Sequence, residues 1–497
     1  MKNIDRIRKV KIEKLNNLIK AGMNPYPAKT SRTHSNKEAL DNFSKLKNKK
    51  IYLAGRIRSI RQHGGSTFCH IEDGADAEKQ PTQIQAFLRK NEIGKEKYDL
   101  FIENIEIGDF VEFKGSLFKT KRGEKTIEVK DWKILSKTLL PLPEEWYGLK
   151  DTEERYRKRY LDLIMNPETR DVFKKRSQIL KLIREFLDKH NFLEVETPIL
   201  QPMYGGASAK PFTTHLDALN TDLYLRISDE LYLKRLIVGG FEKVYEVSKD
   251  FRNEGIDRQH SPEFTQIEFY WAYANYEDLM KFTEKMICFV VKEVCQKLKI
   301  EFEDKKISFK TPWRKITYRD LILKHTKIDI NKTKTEKELR EEIRKKKFKI
   351  DFSGIAGYGP ILDTLYKEYC RPKVIQPTFI TDHPAELMPL AKRKKEDPSK
   401  IESFQLLIYG YELIKAYSEL NDPQDQKQRW LEQEGLAKKG LEEYEALDEE
   451  YIQALEHGMP PTAGFGIGID RLTAILTNQH SIRDVILFPF MRPKKKK

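Results

Sequence analysis

The sequence predicts an α+β chain in two parts: a small closed β-barrel near the N-terminus, then a larger domain combining an antiparallel strand pair with amphipathic helices. Three observations carry this. Between Ile51 and Lys137, five short runs of alternating apolar and polar residues follow one another, separated by Gly, Asp or Lys-Arg-Gly breaks. A stretch with two Pro and a Gly, LLPLPEEWYGLK at 139–150, then ends the pattern. Beyond it the period becomes helical at 173–190, and two strand-like runs meet across a turn-rich loop at 251–270.

Composition narrows the class. At 497 residues the chain has room for two or three domains, each with its own core. An apolar fraction of 39% argues for a folded protein. The 92 Lys and Arg exceed the 77 Asp and Glu by 15, which favours a polyanionic partner without naming it. Cys69, Cys288, Cys295 and Cys370 have no C-x-x-C spacing, which argues against structural zinc and against a disulfide framework, and for a reducing compartment. The N-terminus is charged throughout and lacks a signal-peptide core. No apolar run approaches the ~20 residues of a membrane span. A cytoplasmic protein with no membrane partner is expected.

In order, residues 1–50 form a basic helical extension, with Ile4, Ile7, Val10, Ile12, Leu15, Leu18 and Ile19 at helical spacing. Docking by one face and contact with RNA phosphates both remain open. Residues 51–140 hold the barrel, for which the OB-fold is the leading candidate. Its working face would combine Arg56, Arg58 and Arg61 with the ring of Phe68, although the period equally allows Phe68 in the core. Residues 141–172 read as a linker and hinge, and 173–497 as the second domain. There a helix carrying Ile179, Leu182, Ile183, Phe186 and Leu187 leads to FLEVETP, which stops at Pro198.

The chemistry concentrates further on. Gly205 to Phe212 is a small-residue loop suited to close ligand approach. Glu230 falls in the first turn of a helix, where it would equally serve as a terminal charge. In FRNEGIDRQHSPEFTQIEFY, Arg252 stands at one edge, Arg258 and His260 lie in the loop, and Gln266, Glu268 and Tyr270 share a face on the return. Arg is a fixed fork for phosphate or carboxylate, Glu beside a Tyr hydroxyl suits a cationic amine, and Phe264 offers a ring to a base. On a straight strand Lys415, Tyr417 and Glu419 point to one side. Gly464, Gly466 and Gly468 leave one face of another strand bare, and Arg471 follows at a helix start.

The run FRNEG…H-x-PEFT…E-x-Y resembles the second signature motif of the class II aminoacyl-tRNA synthetases, in the form of the lysyl enzyme. The helix-strand-Pro unit resembles the first motif and AGFGIGIDRLTAIL the third, so the resemblance covers nearly the whole chain. It implies an antiparallel catalytic sheet flanked by helices, an insertion at about 315–400, and a homodimer formed through the first motif. It implies ligation of lysine to tRNA(Lys) with ATP and Mg2+. Matched residue by residue, Gly206 and Glu230 meet the substrate α-amino group, and Glu268, Tyr270 and Glu419 its distal ammonium. Arg252 bridges carboxylate and α-phosphate, and Phe264 and Arg471 sandwich adenine. Glu254 and His260 complete the ATP site, with Arg252 and Arg471 the catalytic pair. Glu412, with Gln405 more weakly, holds magnesium, and Phe68, Gln85 and Glu124 read the anticodon.

Four departures stand out. Gln405 occupies a position where the family has Glu. Gln259 stands where some bacterial members have Arg, with Arg258 one place earlier. Met388 replaces a Ser in HPAELMPLAK, and Lys415 replaces an Asn. Lys415 is expected at the lysine carboxylate, about 13 Å along the strand from Glu419. Two rivals are a paralogue that lysylates another protein, which resembles the catalytic domain alone, and a non-catalytic RNA-binding relative. The barrel argues against the first, and retention of Arg252, Glu254, Glu412 and Arg471 against the second.

Overall fold

The structure is a computed structural model that describes residues 2–74, 81–143, 149, 151–441 and 444–493. The chain divides into two compact units, 1–150 and 151–497, so the division falls inside the expected hinge. Residues 144–148 and 150 of that hinge lie outside the described residues. Its second half is helical, as Thr152–Arg157 and Arg159–Met165.

In the first unit five strands close into a barrel in the order Ile51–His63, Ser66–Glu72, Gln83–Arg89, Lys125–Ser136, Phe110–Lys119. All neighbours are antiparallel except Gln83–Arg89 with Lys125–Ser136, which run parallel. Helix Lys95–Asn104 supplies Phe101, whose ring meets Trp132 edge-on at 5.2 Å among the buried barrel residues. Gly115 marks a register shift, and a Cβ there would sit 2.0 Å from the carbonyl oxygen of Glu128, so only glycine fits. The N-terminal helix spans Lys2–Lys20 and docks by one face: Leu18 is buried, and Lys11 and Lys14 reach Glu106 at 3.1 and 2.9 Å.

The second unit is built on an eight-stranded sheet, ordered Arg314–Thr317, Thr378–Thr381, Ser403–Ile408, Tyr411–Ser418, Thr462–Gly468, Glu263–Ala272, Lys243–Phe251, Leu193–Glu194. The six central strands are antiparallel, and the strand at each edge joins in parallel. Side chains alternate across the pleat, so each strand divides its residues between two environments. Ile267 and Phe269 join a core with Phe465, Ile467 and the apolar stripes of helices Pro167–Lys189 and Tyr276–Cys295. The second helix starts in a capping box, Asn275 with Asp278, which satisfies its first amides. The predicted helix at 173–190 thus begins earlier, at Pro167, where proline suits the first turn.

The segment at about 315–400 is more than an appendage. Helices Tyr318–Thr326, Glu336–Lys345 and Tyr358–Leu365 enclose their own core, while Arg314–Thr317 and Thr378–Thr381 extend the sheet. A wide π-type turn, Tyr366–Cys370, follows the third helix. All four cysteines are free thiols.

Candidate active site

The other face of the sheet lines a cavity of about 630 Å³. Strand register explains its floor. Gln405, Lys415, Gly466, Glu268 and Glu246 lie in one line across five strands, and Ser403, Tyr417, Gly464, Tyr270 and Val244 in the next such line. Gln266, Glu268 and Tyr270 face the cavity as their period predicts, and Gly464, Gly466 and Gly468 oppose them. The glycines leave room for their neighbours: a Cβ on Gly464 would stand 2.0 Å from Glu419 Oε1 and 2.5 Å from Tyr270 Cε1. Gly206, at φ +82, brings its loop within 2.9 Å of the Glu230 Cβ at the same measure.

At one end the cavity is acidic. Glu268 accepts hydrogen bonds from Ser228 Oγ (3.1 Å), Tyr270 Oη (3.2 Å) and the Gln266 amide. Burial, followed by the charges of Glu230 and Asp250, pushes its carboxyl up to about 8. Glu230 is buried and accepts from Tyr417 Oη at 2.7 Å, so it is more than a helix-terminal charge. Its other partner escaped the sequence reading. Lys234, one helical turn on and fully buried, donates to Glu230 at 2.5 Å and also pairs with Glu419. Burial alone would discharge this ammonium, but Glu230 and Glu419 hold it well above the ordinary range. Glu419 therefore stands apart from the cavity lining, behind Gly464, with its carboxylate engaged by Lys234. The i, i+4 spacing in ELYLK was the signal for Lys234. No periodicity foretells that Glu419, just past the end of a distant strand, closes the bridge.

At the other end the cavity is lined by Arg252, Glu254, Gln259, His260, Phe264 and Arg471. The guanidinium of Arg252 lies over the Phe264 ring, 5.1 Å from its centroid, and donates to the carbonyl of Ile227. The cation stacked on Phe264 is thus Arg252. Arg471 is anchored to the backbone oxygen of Glu412 at 2.8 Å. Arg258 turns away to Glu303 and the carbonyl of His480, and Gln259 takes its place in the lining. Met388 lines the wall with its side chain in an apolar cluster. Lys415 also lines the cavity and makes no ion pair within 4 Å among the described residues.

The residues matched to magnesium do not form a divalent-cation site here. Gln405 is absent from the cavity lining, and its amide oxygen accepts from Tyr366 Oη at 2.8 Å. Glu412 does line it, but Arg371 stands 3.7 Å from its carboxylate. Although burial works the other way, Arg371, Lys415, Arg471 and Lys367 together hold Glu412 below the usual carboxylate value. A hard dication needs several anionic or carbonyl oxygens, and Glu412 instead stands among four cations with the neutral Gln405 on the strand beside it.

The barrel carries a second constellation, described within its own unit. Phe68 alternates with buried Thr67, Cys69 and Ile71, so it points outward and stacks on Phe87 (centroids 4.3 Å apart, planes at 19°). That excludes Phe68 from the barrel core. Gln85 Nε2 donates to Glu124 at 2.7 Å, and His70 lies 3.1 Å from the same carboxylate. Phe68, Gln85 and Glu124 thus share one face, with His70 and Phe87 added by the register. Arg61, exposed, pairs across from Phe68, whereas Arg56 turns onto the Phe110 ring.

Comparison with known proteins agrees with this geometry in both units. Residues 151–492 match the family described as tRNA synthetases class II (D, K and N), and residues 51–135 match the OB-fold nucleic acid binding domain. The chain is 48% identical to the lysine–tRNA ligase of Pelotomaculum thermopropionicum over 493 residues, covering 99% of this chain and 96% of that protein. It is 49% identical to that of Carboxydothermus hydrogenoformans, covering 99% of both chains. For the Clostridium tetani lysine–tRNA ligase the identity is 48%, over 95% of this chain and 93% of that protein. With the second and third signature motifs on one cavity and likeness along almost its whole length, the chain belongs to the class II tRNA synthetases and, within them, to the lysine–tRNA ligase family.

Proposed function

We propose that the protein is a lysine–tRNA ligase that activates L-lysine with ATP to lysyl-adenylate and transfers the lysyl group to the 3′ end of tRNA(Lys). One observation carries the reading: the cavity joins an acidic end to an arginine-and-aromatic end across a glycine floor. That polarity matches a substrate whose ammonium and carboxylate lie at opposite ends and whose carboxylate must meet a nucleotide. The acidic end selects lysine, because leaving its buried carboxylates without a cation is costly.

In the first step a lysine carboxylate oxygen attacks the α-phosphorus and pyrophosphate leaves. In the second a ribose hydroxyl of the tRNA end attacks the carbonyl of the adenylate and AMP leaves. The carboxylate is already a nucleophile, so the protein must hold two anions together and offset charge in the transition state. Arg252 takes the junction of carboxylate and α-phosphate, Phe264 and Arg471 the nucleotide with Glu254 and His260, and Gly206 with Glu230 the α-amino group. Glu268 and Tyr270 take the distal ammonium, with Glu419 supporting through Lys234. Lys415, free in the cavity, faces the lysine carboxylate through a charge-assisted contact. Magnesium enters with ATP as the substrate complex.

The outward face of Phe68, Gln85 and Glu124 supports an anticodon contact, and the exposed Leu193, Ile199, Leu200 and Met203 around the edge strand support a homodimer. No described helix is long and apolar enough to cross a membrane, and a cytoplasmic location fits the reaction. Ligation to a protein acceptor is not favoured, since the barrel and the match over the full length go with tRNA as acceptor. Amino-acid-dependent ATP–pyrophosphate exchange tests the reading. Exchange with lysine is expected, and exchange with aspartate or asparagine instead would refute it.

A further inference from the structure

The misfit around Glu412 has a positive content. The π-type turn Tyr366–Cys370 and the residue after it put Lys367 and Arg371 beside strand Tyr411–Ser418, four residues apart. Tyr366, which opens the turn, caps the Gln405 amide, so the neighbouring position that would supply a second ligand is neutral and occupied. Arg371 lies behind Glu412, 3.7 Å from its carboxylate, and its own Nε is buried without a hydrogen-bond partner among the described residues. Lys367 lines the cavity with Asp363, to which it is paired at 2.7 Å, and with Thr364. Lys415 and Arg471 line it from the sheet and from helix Ile469–Leu476. Two carboxylates, Glu412 and Asp363, thus face four cations: Arg371, Lys367, Lys415 and Arg471.

We infer that this wall is an anion subsite for the polyphosphate end of the nucleotide and for the pyrophosphate product, with Lys367 making the contact that a protein-held metal ion would otherwise make. Arg371 is a positioning residue: it neutralises Glu412 from behind, so that the wall presents net positive charge. Lys is a compact charge with three donors that meets phosphate oxygens without a metal intermediary. The subsite rests on the reading of the cavity as an ATP site, and it adds that the chain supplies its own cation there.

The test uses the full-length chain and inorganic pyrophosphate, by isothermal titration calorimetry in EDTA. Binding in EDTA is expected to stay within about tenfold of that in magnesium, to weaken by about tenfold in Lys367→Ala, and to be kept in Lys367→Arg. Circular dichroism of each variant separates loss of binding from loss of fold. Titration with Mn2+ in the absence of nucleotide, followed by electron paramagnetic resonance, is expected to find no submillimolar site that depends on Glu412. Pyrophosphate binding that vanishes in EDTA, an unaffected and folded Lys367→Ala, or a Mn2+ site lost in Glu412→Gln would each overturn the subsite. Lysine-dependent exchange is measured on the same preparations. Its absence with divalent-free pyrophosphate binding intact would sink the ligase reading alone, and its presence without such binding would sink the subsite alone.

Discussion

At the scale of single residues the acidic end of the cavity is governed by charge balance. Glu268 is pushed up to about 8 by burial, then by Glu230 and Asp250, so near neutral pH it carries a proton in the empty cavity. On the proposed reading the lysine ammonium meets this carboxylate, so binding below that value must expel the proton. Affinity for lysine is therefore expected to rise with pH, by up to about tenfold per unit, and to level off near the shifted value. Lysine KM from pyrophosphate exchange between pH 6 and 8 checks this, and Glu268→Gln should flatten the profile while raising KM. Lys234 gives a different prediction. Its ammonium is the bridge between Glu230 and Glu419, both almost wholly buried. Lys234→Met leaves two buried carboxylates uncompensated and should cost about 3–5 kcal/mol of stability, measured by urea unfolding. Burial already favours protonation of Glu419, so the deficit should shrink on acidification. An undiminished deficit at low pH would mean that Lys234 stabilises by packing alone. Glu230 and Glu268 were legible in the sequence because a motif and a period carry them. Arg371 and Lys367 were not, because each acts on Glu412 far along the chain, and the i, i+4 spacing gave only one half of the Lys234 bridge, since Glu419 is distant in sequence.

At the scale of elements, alternation was the most reliable signal. It placed Gln266, Glu268 and Tyr270 on one face and the three glycines of Thr462–Gly468 on the matching face of the next strand. It could not decide Phe68, since an outward and an inward ring have the same period; the register decides it, setting Phe68 against Phe87 outside the barrel. Under the proposed anticodon contact, a ring already stacked at 4.3 Å would meet an unpaired base without first being ordered. Phe68→Ala should lose roughly 1–3 kcal/mol of tRNA affinity while lysine-dependent exchange stays unchanged. Phe87→Ala should lose less, because it removes the support and keeps the platform. Filter binding of tRNA beside exchange assays reads both variants. A drop in exchange would show that Phe68 acts on the second unit. The insertion was the element least legible in advance. Its charged helical pattern gave no hint that Arg314–Thr317 and Thr378–Thr381 would join the sheet, because four-residue strands leave too short a pattern.

At the scale of the whole molecule, the chain divides between residues 150 and 151 into two units with separate interiors. The barrel core runs from Leu18 to Ile134, and the clusters behind and around the cavity draw only on residues from Val172 onward. The sheet, the glycine floor, Arg252, Arg471 and the bridge at Lys234 all belong to 151–497. On the proposed reading adenylate formation needs only these, whereas recognition of the tRNA draws on the outward face of the barrel as well. A chain of residues 151–497 should therefore fold and keep lysine-dependent pyrophosphate exchange within about tenfold of the full protein. Its transfer of lysine to tRNA at low tRNA concentration should fall by at least the 1–3 kcal/mol of a single stacking contact. Raising the tRNA concentration should recover part of that transfer, because the acceptor end still meets the same cavity. A folded 151–497 that exchanges no pyrophosphate would mean that the barrel also shapes the activation site, and the assignment of the two steps to two units would have to be withdrawn.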